Sequence, residues 1–261
     1  MARLIFLGTG DTAGTPMIGC SCQVCSSGLK ENQRFRPSVL IEAQNKQYLI
    51  DISPDFRAQA LFWGLKKIDA LLLTHAHYDH VGGLDELRAF YLVQKKAVKC
   101  LLSKACLQEL KQRFGYLFLP KKDQLPFTLE LKTQVLEEEF GRTVFEGLKL
   151  TYFSYFQKNT PVTGFRFGTL AYVTDLKQFD QRLVEALRGT EILILGALKA
   201  ESSFGHLGFE EGLALSRQVK AKKVYLTHLC HEVDYVKATV SLPLHVQLAF
   251  DGLQIEFDDA P

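Results

Sequence analysis

Residues 74 to 80 read Thr74-His75-Ala76-His77-Tyr78-Asp79-His80, which places three histidines and one aspartate in seven positions. The apolar run over residues 68–73 precedes them and predicts a buried strand. A glycine pair and a helical pattern over residues 84–93 come after. The cluster therefore lies on a turn at the carboxyl end of a strand, where loops carry chemistry. The alternative is a solvated histidine-rich turn or a pair of core histidines, but four ligand-type residues converge here.

The residue types in this stretch are metal ligands. Imidazole nitrogens and carboxylates suit Zn, Mn or Fe. In an extended His-x-His segment, the side chains of His75 and His77 point the same way and can share one metal. Asp79 and His80 follow the turn and can face a second metal. A metal pair about 3.5–4 Å apart polarises a phosphoryl or carbonyl oxygen and generates hydroxide at neutral pH.

The composition is that of a globular protein with a core. The chain has 261 residues, 47% of them hydrophobic, and its net charge of 31 − 29 = +2 neither demands nor excludes nucleic acid. No apolar run is long enough to predict a transmembrane helix, and we expect no membrane partner. Because the N-terminus lacks a signal-peptide pattern, we expect a cytoplasmic protein. In that compartment, the six cysteines are expected to be metal ligands or free thiols.

A second ligand cluster lies within residues 14–36, where Cys20, Cys22 and Cys25 follow a glycine-rich segment. A structural zinc takes four ligands in a tetrahedron, and three cysteines with one histidine are an accepted set. The fourth ligand must then come from elsewhere in the chain. Reduced thiols in a loop, or a Cys-x-x-Cys redox pair, are the alternatives.

The His-x-His-x-Asp-His stretch resembles the signature of the metallo-β-lactamase superfamily. Together with the cysteine segment, it is similar to the PhnP-like group of metal-dependent phosphodiesterases in that superfamily. The resemblance implies an α/β fold, a four-layer αββα sandwich with two metals at one edge. It extends from Leu7 to the C-terminal strands, so we expect one domain over residues 1–261. Strands that alternate with helices, with hairpins between them, fit this architecture.

The resemblance also implies ligands outside the central stretch. Asp175, at the end of a predicted strand, matches the carboxylate that bridges both metals, although a helix N-cap is the alternative. His228 matches a ligand of the second metal. The implied active-site ligands are His75, His77, Asp79, His80, Asp175 and His228. His231 matches the histidine that completes the structural zinc site with Cys20, Cys22 and Cys25. The implied cofactors are two divalent metals (Zn, Mn or Fe) and one structural Zn.

The same resemblance assigns catalytic and supporting roles. His206 matches a histidine that faces the phosphate and is proposed to act as general acid. Asp79 is the second catalytic residue implied. Asp51, which ends a predicted strand, matches an aspartate that supports the ligand loop. A carboxylate at a helix N-terminus or in a solvated turn is the alternative for Asp51.

One family position is not matched. Relatives carry another histidine ahead of the bridging aspartate, whereas residues 152–161 contain none, and Gln157 lies nearest to that position. Its amide oxygen is a weaker and harder ligand than imidazole. The first site then keeps His75, His77 and Asp175. We expect it to bind metal more weakly than the second site, or to prefer Mn²⁺ or Fe²⁺.

The favoured function is hydrolysis of a small or cyclic phosphodiester by a metal-bridging hydroxide. One alternative is a tRNA 3′-processing endoribonuclease, which needs a protruding basic arm, and residues 95–140 offer only a modest cluster of lysines. Another alternative is a non-catalytic zinc-binding protein with an eroded first metal site. Nucleic acid is not the favoured partner, and a homodimer stays open.

Three local expectations concern secondary structure. Ser53 is expected to cap a helix that begins at Pro54. Residues 115–140 are expected to be irregular. Residues 248–255 are expected to form a terminal hairpin that turns at Asp251-Gly252.

Overall fold

The strands form two seven-stranded sheets in a computed structural model that describes residues 1–260. From edge to edge, the first sheet contains Gln254–Phe257 (β14), Ala2–Gly8 (β1), Ser38–Ala43 (β2), Lys46–Ile50 (β3), Ala70–Leu72 (β4), Val98–Ser103 (β5) and Leu131–Leu136 (β6). The second sheet contains Val246–Leu248 (β13), Lys223–Thr227 (β12), Ile192–Gly196 (β11), Leu170–Val173 (β10), Thr160–Phe167 (β9), Leu148–Gln157 (β8) and Phe140–Phe145 (β7). Each sheet is antiparallel at one end and parallel at the other.

The two sheets enclose a large apolar layer. Alternate residues of β1, such as Leu4 and Phe6, pack in one cluster with Phe165, Phe167 and Tyr172 of the second sheet. A side-chain period of two sends every second residue of a strand to the same face. This alternation explains why both sheets bury one face against the other.

Helices cover the outer face of each sheet. The first sheet carries Phe56–Phe62 (α1), Tyr78–Val81 (α2), Leu87–Gln94 (α3) and Lys104–Arg113 (α4), and the second carries Gln181–Ala186 (α5), Phe209–Val219 (α6) and Tyr235–Ser241 (α7). Apolar helix residues such as Phe56, Leu110 and Leu213 enter two further clusters beneath these helices. The predicted four-layer αββα sandwich is confirmed. None of the helices described in residues 1–260 is long and apolar enough to span a bilayer.

The site lies where the two sheets meet at one edge. The backbone N–H of Thr163 in β9 donates to the carbonyl oxygen of Thr74 after β4, at 2.8 Å. Asp51, Asp175 and His228 directly follow strands or lie one residue beyond them, and each adopts a left-handed backbone, with φ of 58°, 53° and 62°. Non-glycine residues in this region are uncommon and cluster at functional sites.

Two of the local expectations fail near the ends of helices and strands. The first helix begins at Phe56, with Asp55 rather than Ser53 at its cap position, and the Ser53 hydroxyl accepts from the N–H of Asp55 at 3.2 Å. Residues 131–136 form β6, so residues 115–140 are not wholly irregular. The side chains of β6 are mostly exposed because it is an edge strand, and it therefore lacks the alternation that marks a strand in sequence.

The expected C-terminal hairpin is wrong. β13 pairs with β12 in the second sheet, whereas β14 pairs with β1 in the first. Asp251 in the intervening turn accepts hydrogen bonds from the N–H and hydroxyl of Thr9 at 2.9 and 2.7 Å, and from the N–H of Phe35 at 2.7 Å. These bonds fix the turn to loops of the first sheet, so the chain crosses between sheets instead of folding back.

Candidate metal centre

The central histidine stretch is held by the loop after β4 and the short helix α2. His77 precedes α2 in an extended conformation, and Asp79 and His80 lie within the helix. Asp51 anchors the segment, since Oδ1 accepts from the N–H of Thr74 at 2.8 Å and Oδ2 from its hydroxyl at 2.7 Å. Nδ1 of His80 lies 2.6 Å from the same Oδ2. This contact orients Nε2 of His80 toward the site, as a supporting carboxylate is expected to do.

The buried side chains form three overlapping groups, in each of which the ligand atoms all lie within 4.8 Å of one another. The groups are His75, His80 and Asp175; Asp79, His80 and His228; and Asp175, His206 and His228. Asp175 Oδ2 lies 3.0 Å from Nε2 of His80, and Asp175 Oδ1 lies 3.4 Å from Nε2 of His228. Asp175 thus belongs to two of the groups, with one carboxylate oxygen near His80 and the other near His228, as a bridging ligand would require.

The donor atoms fit divalent metals. Nε2 of His75 and both ring nitrogens of His228 are buried and have no hydrogen-bond partner within residues 1–260. Buried polar atoms are rarely left unpaired, and each such atom costs about 1–3 kcal/mol. Nitrogen and carboxylate donors in this number are a ligand set for Zn, Mn or Fe. The residues of the site would satisfy these orphaned nitrogens by binding metal.

The charges of the site also suit metal binding. Burial lowers the pKa of His75 well below its ordinary value and keeps this imidazole neutral, as a ligand must be. For Asp79 and Asp175, burial alone would raise the pKa, but the nearby imidazoles of His80 and His228 outweigh it and hold both carboxyls ionised. Burial opposes charge on His80 as well, yet Asp175, Asp51 and Asp79 raise its pKa. Three buried carboxylates, those of Asp51, Asp79 and Asp175, thus lie around the imidazole of His80, and this acidic environment suits a bound cation.

His77 lies beside His75 at the edge of the ligand cluster. Its ring centroid lies 4.5 Å from that of His75, but within residues 1–260 it joins none of the groups of three. Its Nε2 lies 3.4 Å from the hydroxyl of Thr160. The shared site predicted for His75 and His77 thus stays a prediction.

Gln157 and His206 lie at the same face of Asp175. The side-chain nitrogen of Gln157 is 3.0 Å from Asp175 Oδ1 and 3.1 Å from Nε2 of His206, while Nδ1 of His206 is 3.6 Å from Asp175 Oδ1. Oε1 of Gln157 is buried and has no partner within the described chain. Burial and the neighbouring His228 lower the pKa of His206 to about 4. Gln157 therefore lies beside Asp175, where the family resemblance leads us to expect a histidine.

The cysteine segment and the C-terminal histidine also come together. The sulfurs of Cys20, Cys22 and Cys25 and a ring nitrogen of His231 all lie within 4.8 Å of one another. Nδ1 of His231 is 3.5 Å from Cys20 Sγ and 3.6 Å from Cys22 Sγ. Cys230 stays outside this group, and its carbonyl accepts from the guanidinium of Arg34 at 3.1 Å. The four predicted ligands form a group that fits a tetrahedral zinc.

Two of the three thiols in this group, those of Cys22 and Cys25, differ in acidity. The backbone N–H of Cys25 and the ring of His231 stabilise the thiolate of Cys22 and lower its pKa to about 6. Burial raises the pKa of Cys25 to about 11. All six cysteines of the chain are free thiols rather than disulfides.

Two contributors to the site escape sequence reasoning. Thr74 links Asp51 to the ligand loop, and its hydroxyl also lies 2.9 Å from Nδ1 of His75. Thr160 touches His77 from the other sheet. The position of Thr74 directly before the first histidine is a weak signal that could have marked it. No pattern marks Thr160, because only the fold brings the start of β9 to the ligand loop.

A family model described as a beta-lactamase superfamily domain matches residues 46–229. The chain belongs to the metallo-β-lactamase superfamily. The crystal structure of a new diphosphatase from the PhnP family is 35% identical, has a TM-score of 0.89, and is matched over 98% of this chain and 97% of that one. The predicted resemblance to the PhnP-like group is therefore confirmed. The superfamily is hydrolytic and its fold implies divalent metals, which agrees with the ligand groups described above.

Two further matches extend the comparison. An octanoyltransferase from Porphyromonas gingivalis is 33% identical over 260 residues, which is 98% of this chain but 52% of that protein. The chain thus spans about half the length of this curated relative. Human tRNase Z, short form, has a TM-score of 0.70 at 20% identity, with 97% of this chain and 98% of that chain covered. At that identity, the likeness is one of fold alone.

Proposed function

We propose that this metallo-β-lactamase superfamily hydrolase is a phosphodiesterase that cleaves a small or cyclic phosphodiester. The observation that carries the proposal is the position of His206, with Nδ1 3.6 Å from the carboxylate of Asp175. A proton donor beside the predicted bridging ligand is suited to an ester whose leaving group is a poor alkoxide. The likeness to a PhnP-family diphosphatase over almost the whole of both chains supports phosphorus chemistry.

The metals would be held by residues from both sheets. His75, His77 and Asp175 would hold the first metal, with Asp79, His80, Asp175 and His228 around the second. Bound divalent metals would supply Lewis-acid polarisation of the phosphoryl oxygen and a nucleophile at neutral pH. Zn, Mn and Fe all suit these ligands. A structural zinc on Cys20, Cys22, Cys25 and His231 would fix the segment that carries His228, which lies three residues before His231.

The residues of the chain would orient the substrate and move the proton. His206 would donate a proton to the departing oxygen. Because burial lowers its pKa to about 4, the ring needs a partner to be protonated near neutral pH. The anionic phosphodiester is such a partner, since a negative charge nearby favours the imidazolium form. Gln157 contacts His206 at 3.1 Å and would hold the ring toward the leaving group.

The partners follow from this chemistry. A small-molecule phosphodiester is the proposed substrate, nucleic acid is not favoured, and a homodimer stays open. Residues 98–136 form β5, α4 and β6 with the segments between them, which supports a small substrate over a tRNA. Lys99, in the modest lysine cluster, lies 3.8 Å from a carboxylate oxygen of Glu146. Six free thiols suit the cytoplasm, which is the proposed location.

Metal content and hydrolysis test the proposal together. The protein is purified without chelators, its metals are measured by mass spectrometry, and bis(p-nitrophenyl) phosphate is assayed after addition of Zn²⁺ or Mn²⁺. The proposal predicts close to three metals per chain with turnover. A single zinc that Cys22→Ala removes, with no turnover under either metal, would contradict it and favour the non-catalytic zinc-binding alternative.

A further inference from the structure

A groove of about 250 Å³ opens beside His77, between α4 and the turn that joins β8 to β9. Its polar lining consists of Gln108, Glu109, Gln112, Arg113, Asn159 and Thr160. His77 lines the groove as well, and the hydroxyl of Thr160 lies 3.4 Å from Nε2 of His77. The groove is therefore continuous with the candidate metal centre.

Apart from the ion pair of Arg113 with Glu109, the groove presents uncharged hydrogen-bonding groups. The guanidinium of Arg113 is already engaged, since it donates to the carbonyl of Ala76 at 2.6 Å and to the carboxylate of Glu109 at 2.9 Å. Gln112 and Asn159 are exposed, so their side-chain amides are open to a ligand in the groove. An amide offers two donors and one acceptor, which matches a hydroxyl group in both roles.

The lining discriminates among chemical classes of ligand. An apolar chain would cover polar groups without pairing them, which is unfavourable. An anionic group would face the carboxylate of Glu109 with no free cation, because Arg113 is neutralised by that carboxylate. A neutral alcohol with several hydroxyls would pair with the polar groups and would not be repelled by Glu109. The volume lies below the about 300–1,000 Å³ of pockets for drug-sized ligands, so the bound group has to be small.

The position of the groove indicates which part of the substrate it would contact. His206 groups with Asp175 and His228, whereas His77 lies next to His75 and faces Thr160. Within residues 1–260, His206 and His77 share no group of possible ligands, so the proton donor and the groove adjoin different ligands of the centre. A leaving group protonated by His206 would depart away from the groove, and the substituent that stays on phosphorus would point into it.

We propose that this groove binds the retained substituent of the phosphodiester, and that this substituent is a small uncharged alcohol with two or more hydroxyl groups. The inference rests on the proposed phosphodiesterase function. Gln112 and Asn159 determine this specificity through their exposed side-chain amides. They act by binding the substituent and take no part in proton transfer.

A matched pair of substrates tests the assignment. Glyceryl p-nitrophenyl phosphate and propyl p-nitrophenyl phosphate share a leaving group and differ in two hydroxyls. The Mn²⁺-loaded protein is expected to favour the glyceryl ester in kcat/KM by about tenfold, the effect of one or two net hydrogen bonds. Gln112→Leu and, separately, Asn159→Ala should bring this ratio toward one by lowering kcat/KM more for the glyceryl ester than for the propyl ester. Lys111→Gln, on the same helix and outside the groove, should leave the ratio unchanged.

Equal kcat/KM for the two esters in the wild-type protein would overturn the proposal, as would equal losses on both in Gln112→Leu. If neither ester is hydrolysed, the proposed function fails, and binding then tests the groove alone. Calorimetry with the metal-loaded protein would compare glycerol phosphate with propyl phosphate. Tighter binding of glycerol phosphate, lost in Gln112→Leu, would support the groove assignment, whereas equal affinities would refute it.

Discussion

The side-chain nitrogen of Gln157 lies 3.0 Å from Oδ1 of Asp175, and the side-chain oxygen of Gln157 is buried without a partner in the described chain. The amide thus sits against the carboxylate that is predicted to bridge the two metals. It stands where the family resemblance expects a histidine. An amide oxygen offered to a metal here would be a harder and weaker donor than an imidazole nitrogen.

Gln157→His is expected to strengthen the first metal site. An imidazole at this position would add a nitrogen ligand beside His75 and Asp175, and we expect metal affinity at that site to rise by about tenfold or more. Titration with Mn²⁺ followed by electron paramagnetic resonance would resolve the two sites. The rate of bis(p-nitrophenyl) phosphate hydrolysis should rise together with the metal affinity of the first site. Unchanged affinity and unchanged rate would mean that Gln157 is not the substitute for the missing ligand.

His206→Ala is expected to slow hydrolysis in a manner that depends on the leaving group. A general acid contributes about 10²–10⁴-fold when the departing oxygen is a poor leaving group, and far less for p-nitrophenolate, which leaves without a proton. The rate should therefore fall steeply for an alkyl diester and little for a p-nitrophenyl diester. His245→Ala is the control, because His245 is exposed and outside the site. Equal losses on both substrates would remove the acid role from His206.

The ligand segments were predictable because their chemistry is local. Asp79 and His80 lie within eight residues of the end of β4, and the three cysteines occupy one short loop, so their spacing alone brings donors together. His231 and Asp175 come from distant parts of the chain, and only the family resemblance could connect them to these donors. The structure brings both to the expected neighbours.

Other features depend on the packing of the whole chain and leave no local pattern. The turn at Asp251 resembles a hairpin in sequence, yet its carboxylate is held by Thr9 and Phe35 and the chain changes sheets there. The contact of Thr160 with His77 requires that β9 meet the loop after β4.

Asp51→Asn is expected to weaken metal binding without loss of the fold. Asp51 is fully buried, and its carboxylate accepts hydrogen bonds from Thr74 and His80. In Asp51→Asn, the side-chain NH₂ group would face one of these two donors and could not accept from it. Loss of a partner that orients a ligand histidine lowers metal affinity by about 10–100-fold. Competition with a chelator measures the affinity, and circular dichroism checks the fold. Asp69→Asn, at the other end of β4 beside Lys67, should leave the affinity unchanged. A similar loss in both variants would contradict the supporting role.

The cysteine group offers a prediction in the metal-free protein. The pKa of Cys22 is lowered to about 6 and that of Cys25 is raised to about 11, so near pH 7 the first is mostly thiolate and the second mostly thiol. Because the thiolate is the nucleophile, iodoacetamide should modify Cys22 well before Cys25, with a rate that falls as the pH drops through about 6. Peptide mass spectrometry would follow both sites.

The same labelling reaction separates the causes of this acidity. His231→Ala removes the ring that stabilises the Cys22 thiolate, so the midpoint of the pH profile should move upward. Added zinc should protect Cys22 in the wild-type protein and protect it less in His231→Ala, because one of the four ligands is then missing. Buried Cys100, whose thiol lies outside the group, serves as the internal standard for unfolding. If neither added zinc nor His231→Ala changes the rate at which Cys22 is labelled, these four residues do not act as one site.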